Sequence, residues 1–134
     1  MKCSVITLQI LQKILTSAVS EGFLTPNASK DWIDHSKGIL FSKNNSLFLK
    51  SLNEKDLAVD LGTGGGLPGL VLSTFTNCLW LLADRSERRC AFLKKAVFEL
   101  GMNDRVEVVA CSVEELSHGQ YREKAKLVTA RSFA

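Results

Sequence analysis

The stretch Leu57-Ala58-Val59-Asp60-Leu61-Gly62-Thr63-Gly64-Gly65-Gly66-Leu67-Pro68-Gly69 decides how the chain folds. Leu57 to Leu61 suits a short buried strand, and it runs straight into a glycine turn. Pro68 suits the first helical position, so a helix is predicted over about Pro68 to Thr74. Strand, glycine turn and helix together make a ligand site. Glycines permit positive φ and close approach of a ligand to the main chain, and a helix start presents unpaired N–H groups.

The glycines alone leave the ligand open. Gly64-Gly65-Gly66-Leu67-Pro68-Gly69 matches a G-x-G-x-x-G dinucleotide pattern, but that register sits too late. In the dinucleotide fingerprint the first glycine follows the strand immediately. That glycine is Gly62 here, and counting from it places Leu67 where the third glycine is required. The strand end is also acidic. Asp60 is a poor neighbour for a pyrophosphate and a good one for a ligand with an ammonium or sulfonium charge, and S-adenosylmethionine carries both.

Asp60-Leu61-Gly62-Thr63-Gly64-Gly65-Gly66-Leu67-Pro68-Gly69 resembles the D-x-G-[ST]-G-x-G-[FL]-P-G signature of the small-subunit ribosomal RNA guanine-N(7) methyltransferases, the GidB or RsmG family. The Leu-Pro-Gly continuation narrows the match beyond class I methyltransferases in general. The resemblance implies an α/β, Rossmann-like class I methyltransferase fold with a mostly parallel sheet and an N-terminal helical extension. It also implies S-adenosyl-L-methionine as cofactor and the small ribosomal subunit as partner.

Downstream, Cys78-Leu79-Trp80-Leu81-Leu82-Ala83 is a continuous apolar run, as expected of a parallel strand covered on both faces. It ends at Asp84, 24 residues beyond Asp60, where a βαβ unit places a carboxylate across the ligand crevice to accept from ribose hydroxyls. Asp84 also suits the N-cap of the next helix, and the two roles are compatible. The helix from Ser86 to Leu100 takes its apolar face mostly from Ala91, Phe92, Ala96, Val97 and Leu100, with Gly101 as its C-cap. Arg85, Arg88, Arg89, Lys94 and Lys95 lie on or beside it as a solvated basic face or an RNA-contacting patch. The acid, the basic pair and Phe92-Leu93 again resemble the family.

Arg105 to Ala110 reads as a third strand, leading to Cys111-Ser112-Val113-Glu114-Glu115-Leu116. By resemblance Val113 and Glu114 border an adenine ring, while Ser112 stands where the family usually has arginine. The alternative is a Ser-capped helical turn that needs no ligand. His118 beside Gly119 reads as a loop residue. Leu127 to Ala130 is a fourth strand, and Arg131-Ser132-Phe133-Ala134 resembles the family's Ser/Ala-Arg-Ala/Ser-Phe motif, whose arginine faces the cofactor and substrate pocket. Arg131 suits an anion or a base edge.

Upstream, Val5 to Val19 carries apolar residues at helical spacing and Gly22 can end that helix. Thr25-Pro26-Asn27 reads as a turn, and a second helix runs from Ser29 toward Leu40, with His35 as a surface or capping residue. The expected organisation is a helical extension over residues 1–54 and a partial cofactor-binding α/β domain over 55–134. Only four strands are readable against the seven of a class I methyltransferase. The expectation is therefore a truncated product, a fragment or a short member, with the fourth strand as an exposed edge.

The length of 134 residues suits one domain. A net charge of +3 is compatible with RNA without arguing for it. Cys3, Cys78, Cys90 and Cys111 have no C-x-x-C spacing, which favours reduced thiols in the cytoplasm over disulfides or a metal site. No segment is long enough to span a bilayer, and Gln9, Gln12 and Lys13 interrupt any export-signal core.

The resemblance thus carries these roles: Asp60 near the methionine ammonium, Gly62, Gly64 and Gly66 permitting backbone approach, Leu67 shaping the pocket, Asp84 on ribose, Val113 and Glu114 at adenine, and Arg131 in the cleft. No catalytic His, Cys or Ser constellation is readable. A non-catalytic S-adenosylmethionine or nucleotide-binding module and a nicotinamide oxidoreductase are the alternatives.

Overall fold

β1, Leu57–Leu61, has the bounds its apolar run predicts, and the remaining strands assemble around it. The computed structural model describes residues 4–27, 51–118 and 124–130. The expectations for the second helix, His35 and Arg131 lie outside the described residues. In chain order the elements are α1 (Val5–Ser20), β1, α2 (Gly69–Phe75), β2 (Leu79–Asp84), α3 (Glu87–Glu99), β3 (Val106–Ala110), α4 (Val113–His118) and β4 (Ala125–Ala130). The sheet order is β3-β2-β1-β4, and every neighbouring pair is parallel. The order reverses between β1 and β4, and in open α/β sheets ligands bind at such a reversal, beyond the carboxyl ends of the strands.

Side chains alternate across a strand, so the register sorts them into two faces. Ala58, Trp80, Leu82, Val106 and Val108 lie on one face and join a single apolar cluster with Leu11 and Leu15 of α1, Leu70 to Leu72 of α2, and Leu93 and Val97 of α3. The Trp80 indole is buried among them, and its Nε1–H donates to Thr76 Oγ1 at 2.8 Å, which removes the cost of an unpaired buried donor. On the opposite face Val59, Leu81 and Ala83 are buried, while Leu79 and Val128 are exposed. β4 is an edge strand of the described sheet, and its burial alternates along its length.

Several boundaries differ from the sequence reading. Pro68 is the N-cap of α2 rather than its first residue, because the first helical amide, Gly69 N, is held by the Asp60 carboxyl at 2.9 Å. On α3 the buried face is Cys90, Leu93, Ala96 and Val97; Ala91 is exposed, one step off that stripe. β3 begins after Arg105, whose guanidinium turns back to donate to Ser73 O at 2.6 Å and Cys78 O at 3.4 Å. β4 starts two residues before the predicted Leu127. His118 closes α4 instead of lying in a loop, and Pro26 and Asn27 are already helical where a turn was expected.

Serines cap the two longest described helices. Ser4 Oγ accepts from Thr7 N at the start of α1, and Ser86 Oγ accepts from Arg89 N at the start of α3. No helix among the described residues is long and apolar enough to cross a membrane.

Candidate functional site

Asp60, near the end of β1, is fully buried and has both carboxyl oxygens engaged. Oδ2 accepts from Gly69 N at 2.9 Å and Oδ1 accepts from the Thr129 hydroxyl of β4 at 2.8 Å. Burial pushes its pKa up to about 6; the hydrogen bonds oppose that rise and the nearby Asp84 charge adds to it. The Thr63 hydroxyl opposes the rise more than that of Thr129 does, although it closes no hydrogen bond of good geometry. Thr63 Oγ1 is thereby the one buried side-chain polar atom without a partner among the described residues.

The turn that follows is fixed from β2. Gly62 N and Thr63 N both donate to Ala83 O of β2, at 2.8 and 3.1 Å. Gly62, Gly64 and Gly66 have φ of +66°, +56° and +104°, and Gly66 N closes the turn onto Thr63 O. At Gly64 an added Cβ would meet nothing nearer than Gly62 O at 3.9 Å, so this residue faces open space with bare backbone. Gly65 has no positive φ; a Cβ there would run into the Leu24 side chain. Gly69 is constrained likewise, because a Cβ would overlap the Asp60 carboxyl.

Asp84, the last residue of β2, supplies the second acid. Its Oδ2 accepts from Gly64 N at 2.9 Å, and its Oδ1 accepts from Ser86 N at 2.9 Å with Arg89 Nη1 at 3.5 Å. Asp60 registers against Leu82, two residues before Asp84 on the same strand, so both carboxylates project from one face of the sheet. Asp84 therefore reaches the turn and the amide of Ser86 ahead of α3, but the N-cap of that helix is Ser86 and not Asp84, because the Ser86 hydroxyl accepts from Arg89 N.

The other residues singled out by sequence fall in different places. Val113 and Glu114 are exposed in the first turn of α4, just beyond β3 and at the same end of the sheet as Asp60 and Asp84. Their turn carries a reciprocal capping box, with Ser112 Oγ accepting from Glu115 N and Glu115 Oε1 accepting from Ser112 N, each at 3.1 Å. The Leu67 side chain is buried in the core cluster beneath the turn. Two of the basic residues on α3 already have acidic partners, Arg88 with Glu21 at 2.8 Å and Arg89 with Asp84.

Sequence reasoning missed Thr129, Gly65 and Leu24. The readable sign of Thr129 is a polar residue inside an apolar strand, in register with Asp60. A groove of about 880 Å³ opens at the other end of the strands, beside Leu57, Leu79, Arg105 and Val106. None of the predicted ligand residues borders it, and it lacks the convergent acids of the glycine turn.

The chemistry of the turn is selective. Two amides that could have faced an anion, Gly64 N and Gly69 N, are held by carboxylates instead. An acid-backed turn disfavours a pyrophosphate and suits a cationic group, with carboxylate oxygens able to accept from hydroxyls. The open backbone at Gly64 and the partnerless Thr63 hydroxyl are where such a ligand fits this chain.

Comparison with known proteins bears on the fold and the family. The fold is shared with an S-adenosylmethionine-dependent methyltransferase of Geobacter sulfurreducens, solved with S-adenosyl-L-homocysteine. That structure is 20% identical with a TM-score of 0.56, over 90% of this chain and 43% of that one. M. capricolum TrmK, solved with S-adenosyl-homocysteine, is 17% identical with a TM-score of 0.51, over 69% of this chain and 42% of that one. In sequence, ribosomal RNA small subunit methyltransferase G of Sphingopyxis alaskensis is 38% identical over 66% of this chain and 36% of its own length. The protein of the same name from Parasynechococcus marenigrum is 33% identical over 95% of this chain and 52% of its own length. The chain thus spans about half the length, or less, of these curated relatives. The family model GidB, described as rRNA small subunit methyltransferase G, matches residues 11–134, and the chain belongs to that family.

Proposed function

We propose that this chain binds S-adenosyl-L-methionine at the β1 glycine turn and serves methyl transfer to nitrogen 7 of a guanosine in small-subunit ribosomal RNA, in the cytoplasm. The observation that carries the reading is the pair of buried acids, Asp60 and Asp84, set on one face of neighbouring strands and both bonded to the glycine turn. Membership of the GidB family supports the acceptor, as do relatives named for ribosomal RNA methylation.

When bound, the sulfonium supplies an electrophilic methyl group. Guanine nitrogen 7 has an in-plane lone pair and no proton to lose, so no general base is demanded, and the chain contributes orientation, desolvation and electrostatics. Asp60 sets negative charge beneath the turn, and Gly62, Gly64 and Gly66 allow backbone approach. Asp84 accepts from ribose hydroxyls, Val113 and Glu114 border the adenine, and Arg131 serves the cleft. Leu67 acts on the turn from the core side. Nitrogen 7 lies in the deep, narrow major groove of A-form RNA, so the acceptor is an unpaired base.

Calorimetry with S-adenosylmethionine, S-adenosylhomocysteine and NAD tests the ligand. The first two are expected to bind and NAD is not; the reverse order sinks the reading. Incubation of undermethylated small ribosomal subunits with labelled donor tests the acceptor, with label expected at guanine nitrogen 7. A cofactor-binding module without catalysis is the alternative reading. Donor binding without label transfer would select it.

A further inference from the structure

Thr129 lies on β4 directly in register with Asp60 on β1, across the point where the strand order reverses. Its hydroxyl donates to Asp60 Oδ1 at 2.8 Å, while the other carboxyl oxygen holds Gly69 N at 2.9 Å. One side chain of β4 therefore reaches through a buried carboxyl to the start of α2. We propose that Thr129 is a positioning residue of the cofactor site: it fixes the Asp60 carboxyl under the glycine turn and keeps it negatively charged where a cationic ligand is to bind.

The physical case rests on what would otherwise happen to that carboxyl. A fully buried acid tends to take up a proton unless donors hold it charged. Among the described residues the groups that face Asp60 are few. β2 brings Asp84, whose like charge favours protonation, and α2 brings only the Gly69 amide. The turn brings the Thr63 hydroxyl, and β4 brings Thr129. Among the described residues no cation acting on Asp60 offsets Asp84. Both hydroxyls favour the charged carboxyl, that of Thr63 the more strongly, but only that of Thr129 closes a hydrogen bond of good geometry, so it is the side-chain donor that fixes the carboxyl in place while helping to hold its charge. The inference also explains why a threonine occurs in the apolar run Leu127-Val128-Thr129-Ala130.

The identity of the ligand rests on the function proposed above, so the test has one arm that needs no ligand. The Asp60 carboxyl is titrated by carbon-detected NMR in the intact chain, in Thr129→Val and in Thr129→Ser. Valine keeps the branched shape and removes the hydroxyl; serine restores the hydroxyl. The midpoint is expected to rise by roughly one pH unit in Thr129→Val, the worth of one hydrogen bond to a charge, and to stay near that of the parent in Thr129→Ser.

The second arm measures S-adenosylmethionine affinity against pH. Thr129→Val is expected to weaken binding by about fivefold at pH 6 and by less than twofold at pH 8, as a one-unit midpoint shift dictates. A structural role alone would lower affinity equally at every pH. An unchanged Asp60 midpoint in Thr129→Val, or a loss independent of pH, overturns the inference. If the midpoint shifts as stated while the parent chain does not bind S-adenosylmethionine, the ligand assignment fails and the hold of Thr129 on the carboxyl stands.

Discussion

Asp84 Oδ2 accepts the Gly64 amide at 2.9 Å, so the tip of β2 grips the glycine turn that leaves β1. Its other oxygen accepts from Ser86 N at the head of α3, and the side chain is 4% exposed. One carboxylate therefore orders two segments. Asp84→Ala leaves both amides without their acceptor, and a loss of about 1–3 kcal/mol is expected in urea unfolding. Calorimetry on the same variant is expected to show S-adenosylmethionine affinity reduced at least tenfold, about 1.4 kcal/mol. Full-affinity binding by a folded Asp84→Ala would remove this residue from the site.

Asp60 behaves oppositely with respect to stability. Burial raises its pKa from 3.8 to about 6, so the folded chain holds a proton there more tightly than the unfolded chain does. The ionised carboxyl therefore opposes folding increasingly as pH rises from about 4 through about 6, by up to about 3 kcal/mol above that window. Asp60→Asn removes this dependence. The variant is expected to gain about 1–3 kcal/mol over the parent at pH 7.5 and nothing at pH 4, while losing affinity for S-adenosylmethionine. Urea midpoints at the two pH values decide it; an equal loss at both would show that the carboxyl is structural in either protonation state.

The strand run and glycine turn were legible because they depend on local chemistry: β1 matches its predicted bounds, and Asp60 and Asp84 meet at the turn as a βαβ unit requires. What escaped was non-local. Thr129 matters only because β4 lies next to β1, an adjacency that no spacing along the chain encodes. The burial of Leu67 was not legible either, because a residue in a glycine-rich turn can face the core as readily as the ligand side, and only packing against the helices settles it. On α3 Ala91 was expected on the apolar face and lies one residue off the buried stripe, which at 3.6 residues per turn rotates a side chain by about 100°.

Glycines in the same turn divide into two kinds that substitution separates. Gly64 needs its positive φ of +56° and has open space beyond, so Gly64→Ala costs about 1 kcal/mol of backbone strain and keeps the fold. Its added methyl group stands where the ligand approaches, so the affinity loss is expected to exceed the stability loss. Gly69→Ala places a methyl group on the Asp60 carboxyl and is expected to cost about 2–4 kcal/mol. Thermal unfolding and calorimetry on both variants check the contrast, which fails if Gly64→Ala is the less stable of the two.

Leu24, in the segment after α1, leans on the glycine turn at Gly65, where an added Cβ would collide with its side chain. Leu24 is 7% exposed and joins the core cluster, so Leu24→Ala alone removes buried apolar volume and is expected to cost about 2–3 kcal/mol. Gly65→Ala alone displaces the leucine and is expected to cost about 1–3 kcal/mol. In the double variant the new methyl group occupies space the leucine has vacated. The two losses should therefore fall short of adding by at least about 1 kcal/mol. Such a coupling in a double-mutant cycle would show that the N-terminal helical segment fixes the shape of the cofactor turn. Strict additivity would mean that the two segments accommodate each other at no cost and that Gly65 is glycine for another reason.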